Sequence, residues 1–192
     1  IDSDKKTIYV EHAKGGKPPK FGGSGMSVHD VVRQEMFKIL CDGDYRIAVA
    51  DQQIDFADAN ARGLFRESVA FFNEAELRQN SLLQHGNDVY IFPWRGDKVV
   101  NTIAALLIIN GYEAGVYAGV IEVSKTSLSD VEDSLRSLSI KELPSSTELA
   151  HTVFEKKIDK FDEFLPEEII SLGYGVKSFN IVDAKSWLKK IE

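Results

Sequence analysis

The segment Ile-Phe-Pro-Trp-Arg-Gly-Asp-Lys at residues 91–98 has the residue types and spacing of an anion-binding junction, and an apolar stretch with helical spacing follows it. The first amides of a helix have no partner within the helix, and its N-terminal end is partially positive, so phosphate is favoured there. Trp94 offers a ring for base stacking and Arg95 a charge for the backbone, the combination that grips nucleic-acid strands. The alternative is a Trp94 ring buried under a tight turn.

A second segment with the character of a phosphate loop occupies residues 14–25, where five glycines, two prolines and three lysines exclude a regular element. It lacks the G-x-x-x-x-G-K-[ST] pattern, so it is not an ATP-binding P-loop. A mobile surface loop has the same composition. The residues alone therefore leave a basic contact and an unspecialised loop both open.

Other residue types that carry chemistry are dispersed. The four histidines have no metal-ligand spacing with Cys41, and the adjacent His29 and Asp30 would point to different faces of a helix. Acidic pairs at 162–163 and 167–168 suit a divalent ion, but acids at a helix start are also the ordinary partners of the helix dipole. With no dinucleotide fingerprint and no nucleophile elbow, we predict neither a catalytic residue nor a metal site.

Composition narrows the class of protein. The chain has 192 residues, of which 43% are hydrophobic and 10% aromatic, as in a folded domain. Its net charge of −7 argues against a dedicated nucleic-acid module, although residues 1–20 carry five lysines against three acids. The one cysteine suits a reducing compartment, and the longest apolar run, 103–109, is shorter than the roughly 20 residues of a membrane span. We therefore expect a cytoplasmic protein without a membrane partner.

The periodicity of apolar residues predicts the elements that position these groups. Helices are expected from Ser27 to a stop at 42–44 and over 51–73, 98–110, 127–138 with a cap at Ser127, 147–164 and 183–191, with another helical turn at 166–168. Extended segments are expected over 7–12, 45–49, 81–84 and 88–92, the last two joined by a hairpin at 85–87, and over 113–123, as one strand or two joined at Gly119. Residues 98–110 are apolar on almost every face, which is typical of a helix covered on all sides. The predicted fold class is α+β, a helix-rich single domain with a small, mostly antiparallel sheet around a buried central helix. The domain spans 1–192, with a candidate subdivision near 143–146 into an α/β part and a C-terminal helical part.

Three segments, taken together and in order, resemble the C-terminal accessory region of DEAD/DEAH-box DNA helicases of the large helicase-related type. The first runs from Ile-Tyr-Val at 8–10 through the glycine-rich residues 15–23 to Val-His-Asp at 28–30. The second is 92–98 with Asn-Thr at 101–102 and the apolar helix. The third is 160–168, followed by Gly-Tyr at 173–174 and Trp-Leu at 187–188. From the first to the last, they span most of the chain in the order that this region shows.

The resemblance implies a non-catalytic domain that packs on two ATPase domains and a winged-helix domain and helps to form a DNA channel, with RNA as an alternative polymer. This chain has no Walker lysine and no D-E-x-[DH] box, so ATP and magnesium would belong to the parent's motor domains and not to this piece. The chain begins without methionine, which suggests a piece of a longer polypeptide or a processed protein. Within this resemblance the expected nucleic-acid contacts are Trp94, Arg95, Gly96 and Lys98, together with a basic flap formed by Lys14, Lys17, Lys20 and Phe21.

Two further classes of function compete with this hypothesis. A protein-interaction or scaffolding domain without nucleic-acid contact agrees with the acidic charge and the large apolar interior, and Trp94 would then be a core residue. A small-molecule or nucleotide-handling enzyme needs a pocket of convergent polar groups, and the sequence shows none.

Overall fold

The computed structural model of the chain describes residues 27–49, 52–156 and 162–191. Within these ranges it contains helices α1 (Asp30–Asp42), α2 (Ala59–Glu74), α3 (Asp97–Ile109), α4 (Leu128–Ile140), α5 (Ser146–Ala150), α6 (Glu167–Ser178) and α7 (Ile181–Leu188), and a 3-10 turn at Asp162–Phe164. The strands are β1 (Ile47–Val49), β2 (Gln52–Ile54), β3 (Leu82–His85), β4 (Asp88–Ile91), β5 (Glu113–Tyr117) and β6 (Val120–Ser124). The predicted strand at 7–12 lies outside the described residues.

The predicted fold class is confirmed: the chain is a helix-rich α+β domain with a small antiparallel sheet. The sheet has four strands in the order β3-β4-β6-β5, and β1 pairs with β2 in a separate ribbon. Gly86 (φ +59°) turns the β3–β4 hairpin, while Ala118 (φ +51°) and Gly119 (φ +86°) turn the β5–β6 hairpin. Two consecutive positive φ angles are typical of the tight hairpin turns that match strand twist. The segment 113–123, expected to be one long strand or two strands joined at Gly119, is therefore two strands.

Helix α3 is the centre of the hydrophobic core, as its composition predicts. Val100, Ile103 and Leu107 have no exposed surface, and they share one core cluster with residues of β4, β6, α4 and α7. Burying each such side chain stabilises the fold by roughly 1.5–3 kcal/mol. The prediction that α3 is covered on all sides is wrong at its C-terminal end, where Ile108 and Ile109 are exposed.

Two helix starts differ from the prediction because local capping decides them. Helix α1 begins at Asp30, and the N-cap is His29, whose Nδ1 accepts from the N–H of Val31, so Ser27 is not the cap. Helix α2 begins at Ala59 after the N-cap Asp58, since residues 52–54 pair as β2. Apolar spacing alone could not separate a short strand from the first turn of a helix.

The predicted helix over 147–164 is also wrong. Helix α5 begins with a capping box between Ser145 and Glu148 and ends at Ala150. The hydroxyl of Thr152 donates to the carbonyl of Leu149 at 2.7 Å, a local bond that competes with helical continuation. Residues 162–164 form a 3-10 turn, and α6 then extends over 12 residues rather than a single turn.

The buried core is continuous across the candidate subdivision near 143–146. Leu149 and Ala150 of α5 and Trp187 and Leu188 of α7 belong to the same cluster as α3 and the sheet. Helices α5 and α6 also approach closely, because a Cβ on Gly175 would lie 2.5 Å from the carbonyl oxygen of Ser146. Among the described residues, the C-terminal helices thus complete the core around α3.

Candidate nucleic-acid interface at the start of helix α3

The ring of Trp94 lies in an aromatic cluster and not on an open surface. Its centroid is 5.3 Å from that of Phe37, 5.8 Å from Phe72 and 6.1 Å from Phe92. The backbone of Trp94 is left-handed, with φ +52°, which is rare for a bulky residue. Its indole N–H is buried and has no hydrogen-bond partner among the described residues. The exposed stacking ring that the sequence suggested is therefore corrected: the ring is half-buried and ties α1 and α2 to the end of β4.

The guanidinium of Arg95 is held by two carboxylates. Its Nε donates to both oxygens of Asp30, at 2.8 and 2.9 Å, and its Nη2 lies 3.7 Å from Oδ2 of Asp183. Only 14% of the Arg95 side chain is exposed. One N–H is shared between both oxygens of a carboxylate, and such a hydrogen bond between charged groups is shorter and stronger than a neutral one. Arg95 is thus not the free cation that a phosphate contact requires.

Two amides at the start of α3 are also satisfied within the chain. The N–H of Gly96 donates to Oδ1 of Asp30 at 2.7 Å, and the N–H of Asp97 donates to the carbonyl of Val28 at 3.0 Å. In return, the N–H of Val28 donates to Oδ2 of Asp97 at 2.7 Å. At the helix start where the sequence predicts an anion, the chain itself places one, the carboxylate of Asp30.

Close approach of α1 explains the glycine at this position. A Cβ on Gly96 would lie 2.7 Å from the backbone nitrogen of Asp30 and 3.0 Å from the carbonyl oxygen of Val28. Both neighbours are backbone atoms and cannot rotate away. Gly96 therefore contributes by its small size, which lets the segment before α1 lie directly on the start of α3.

The environment of Asp30 keeps it ionised at neutral pH. Partial burial raises the pKa of Asp30, but hydrogen bonds from the Arg95 side chain and the Gly96 amide, with the charge of Arg95, together outweigh burial and lower it. Asp30 thus provides a permanent negative charge against the positive end of α3.

Three helices start around this point. The N-caps of α1, α3 and α7 are His29, Gly96 and Asn180, and all three line a cleft of about 470 Å³. Each helix carries an aspartate in its first turn, as expected for the positive end of a helix dipole. We call the charged residues that meet here the helix-start cluster: Asp30, Arg33, Arg95, Asp97 and Asp183.

The helix-start cluster does not present a surplus of positive charge. Its two arginines face three aspartates, and Arg33 also packs over the β5–β6 turn, where a Cβ on Gly119 would lie 2.5 Å from its Cζ. Nη2 of Arg33 lies 3.4 Å from Oδ1 of Asp97. Lys98, also predicted to contact phosphate, donates from Nζ to the carbonyl of Val176 at 3.1 Å, near the negative C-terminal end of α6.

The structure thus brings four of the eight predicted site residues together and gives them internal partners. Nucleic-acid contact by Trp94, Arg95, Gly96 and Lys98 stays a prediction, and their internal contacts argue for a positioning role instead. The other four, which form the predicted flap, lie outside the described residues: Lys14, Lys17, Lys20 and Phe21.

Sequence reasoning missed the acidic side of this site. Asp30 was considered only with its neighbour His29, whereas its partner Arg95 is 65 residues away. The available signal was an acid in the first turn of each helix, at Asp30, Asp97 and Asp183. That signal locates helix starts but does not show that they meet.

A second charged contact lies between the segment after α5 and the start of α6. The buried Lys156 pairs with Glu167, and this hydrogen bond lowers the pKa of the Glu167 carboxyl despite some burial. Glu167 thus has a partner of its own instead of an open carboxylate face. Within the part of the chain that the structure describes, no group of three or more His, Cys, Asp or Glu side chains is placed to hold a metal ion. No described helix has the length and apolar content to cross a bilayer.

Comparison with known proteins adds no neighbour. No protein-family model, no curated protein and no solved structure matches this chain.

Proposed function

We propose that this chain is a non-catalytic accessory domain of an ATP-dependent DNA helicase, packing on the parent's motor and winged-helix domains beside the nucleic-acid channel. DNA, or alternatively RNA, is the polymer of the parent, and ATP with magnesium belongs to its motor domains. The observation that carries the proposal is that described residues from all three segments that resemble helicase accessory regions meet around one helix, α3.

The first two segments are in direct contact. Asp30 closes the first segment, and it binds the side chain of Arg95 and the amide of Gly96 in the second. Val28 and Asp97 exchange two further hydrogen bonds between the same segments. Residues separated by more than sixty positions in sequence therefore form one structural unit at the start of α3.

The third segment completes the same core. Trp187 and Leu188 are buried in the cluster that surrounds α3, and Tyr174 packs on it from α6. The N–H of Asn180 donates to the buried hydroxyl of Thr102 at 2.9 Å, which joins the start of α7 to α3. The residues that carry the resemblance therefore contact one another within one domain. This supports a resemblance of the whole domain, because short motifs that match by coincidence need not lie together.

The exposed apolar residues of α1 and α2 support the packing role. Helix α1 has no buried residue, and α2 has only Phe72. Val32 and Met36, one turn apart on α1, are 51% and 42% exposed. Contiguous apolar surface of this kind marks a contact with another protein surface. An accessory domain that packs on motor domains needs such a face.

The test uses the whole polypeptide that contains this chain. ATPase motifs elsewhere in that polypeptide, with ATP hydrolysis stimulated by single-stranded DNA, are the expected result. Val32→Glu, on the open face of α1, should reduce DNA unwinding severalfold and leave the far-UV spectrum unchanged. Ile140→Glu, at the exposed end of α4, is the control on another face. A polypeptide without ATPase motifs would exclude the helicase assignment.

The same apolar surface also favours a second candidate, a scaffolding domain that contacts no nucleic acid. Salt dependence separates the two in the whole polypeptide. Phosphate contacts release counterions, so DNA binding by a helicase should weaken steeply as salt rises. Absent or salt-independent binding would support scaffolding.

A further inference from the structure

Helix α6 carries an apolar stripe on the side that faces away from the core. Ile169, Leu172 and Val176 are 50%, 50% and 62% exposed. The opposite side, with Ile170, Ser171 and Gly175, is buried. We call the exposed stripe, extended by Phe164 and Leu165 just before the helix, the α6 seam. No described residue covers it.

The spacing of the α6 seam is that of paired helices. Apolar residues separated by three and then four positions form the contact line of two-helix packing. Gly173 lies beside Ile169, Leu172 and Val176 on this face, and a Cβ added to it would meet nothing within 4 Å. The exposed glycine is therefore not required by any contact within the described chain, and it lets a second backbone approach closely.

The size of the seam matches a specific interface. Its five apolar side chains, Phe164, Leu165, Ile169, Leu172 and Val176, expose between 44% and 76% of their surface. On ordinary side-chain areas this amounts to roughly 500 Å² of apolar surface. A stable interface buries about 800 Å² per partner, of which about 60% is apolar. One seam on each partner therefore supplies about the apolar area that such an interface needs.

Charge on α6 selects the orientation. Glu168 lies in its first turn and Lys177 in its last. Antiparallel packing places the acidic end of each helix beside the basic end of the other and opposes the two helix dipoles, whereas parallel packing would bring like charges together. A second copy of this chain offers both the matching stripe and the complementary charges. We propose that α6 pairs antiparallel with α6 of a second copy, forming a homodimer through the α6 seam.

This dimer is independent of the helicase proposal, since it uses a different face from that of α1. Sedimentation equilibrium of the 192-residue chain from about 0.1 to about 100 μM should show the dimer, alone or in equilibrium with the monomer, since interfaces of this size have affinities of about micromolar or tighter. Leu172→Glu should raise the dissociation constant at least tenfold. Val182→Glu, on the exposed side of α7, should leave it unchanged.

A second variant separates loss of the interface from loss of the fold. Gly173→Leu removes a glycine from a helix interior and meets nothing within the chain, so the melting temperature of the monomer should rise. The added side chain would obstruct the close approach of a second α6, so dimerisation should fall in the same variant. A chain that is monomeric throughout the concentration range, or a dimer indifferent to both Leu172→Glu and Gly173→Leu, would overturn the proposal.

Orientation has its own measurement. In a Cys41→Ser background, spin labels at Pro166→Cys, the α6 N-cap whose side chain makes no capping hydrogen bond, should lie about 20 Å apart in an antiparallel pair and about 10 Å apart in a parallel pair. The shorter separation would refute the antiparallel arrangement.

Discussion

Asp30→Asn tests whether the carboxylate of Asp30 is the anion that the start of α3 binds. The substitution keeps the shape of the side chain and one acceptor for the amide of Gly96. It removes the charge that holds Arg95, leaving this guanidinium with Asp183 at 3.7 Å. The variant therefore isolates the ion pair from the packing of α1.

The expected loss follows from the geometry. Hydrogen bonds to charged groups contribute about 1.5–3 kcal/mol, and removal of one partner from a fully buried pair costs about 3–5 kcal/mol. Here 27% of the Asp30 side chain and 14% of the Arg95 side chain are exposed, so solvent screens part of the interaction. We expect Asp30→Asn to lower the free energy of unfolding by about 2 kcal/mol at pH 7.

Urea unfolding followed by circular dichroism measures this loss, with the slope against urea checked for two-state behaviour. Asp133→Asn removes an exposed pair with Arg136 and is the control, with an expected change below about 1 kcal/mol. An Asp30→Asn chain as stable as the unsubstituted chain, with an equal slope, would refute the assignment of Asp30 as the internal anion.

Acidification gives a second measurement of the same contact. The folded-state pKa of Asp30 is lowered, so its ionised form stabilises the fold above the unfolded-state pKa of about 3.9. That contribution is lost as the pH falls through the folded-state pKa. The difference in stability between the unsubstituted chain and Asp30→Asn should therefore be full at pH 7 and shrink below about pH 4. A difference that stays constant down to pH 2 would mean that the charge of Asp30 contributes nothing.

Three further substitutions test the surroundings of α3 by the same unfolding assay. Trp94→Ala should destabilise the chain by about 3 kcal/mol, because the ring packs against other aromatic rings. The control is Phe154→Ala, which should have no effect because Phe154 is fully exposed. A Trp94→Ala chain as stable as this control would show that the Trp94 ring is exposed. Gly96→Ala should cost about 1–3 kcal/mol because its Cβ meets backbone of α1, and Gly63→Ala, in open space on α2, should instead stabilise by about 0.5–1 kcal/mol. Thr102→Val should lower the free energy of unfolding by about 1–3 kcal/mol, because the buried N–H of Asn180 at the start of α7 would lose its acceptor. An unchanged stability would show that water replaces the hydroxyl.

Local pattern was enough to predict the elements that dominate the fold. The apolar residues of α3 and the hairpin glycines at 86 and 119 act through short-range geometry, which a sequence displays directly. The cap at Ser127 was likewise visible, because its side chain accepts from an amide three residues along. These elements fixed the fold class.

Long-range pairing explains what the sequence did not reveal at the candidate site. The side chains of Trp94 and Arg95 look available in sequence because nothing near them in the chain could satisfy them. Their partners, Phe37 and Asp30, come from a helix about sixty residues earlier. An aromatic residue and an arginine beside a helix start have the same local pattern whether they face solvent or another helix.

Helices α1 and α2 are attached to the rest of the chain by contacts that are sensitive to acid and salt. Neither helix contributes a residue to the cluster that encloses α3, and they are joined to it through ion pairs and one group of aromatic rings. Ion pairs weaken with acid and salt, whereas packed aliphatic side chains do not. We therefore expect the two layers to respond unequally: below about pH 4, acid loosens the first helices before the sheet and its central helix open.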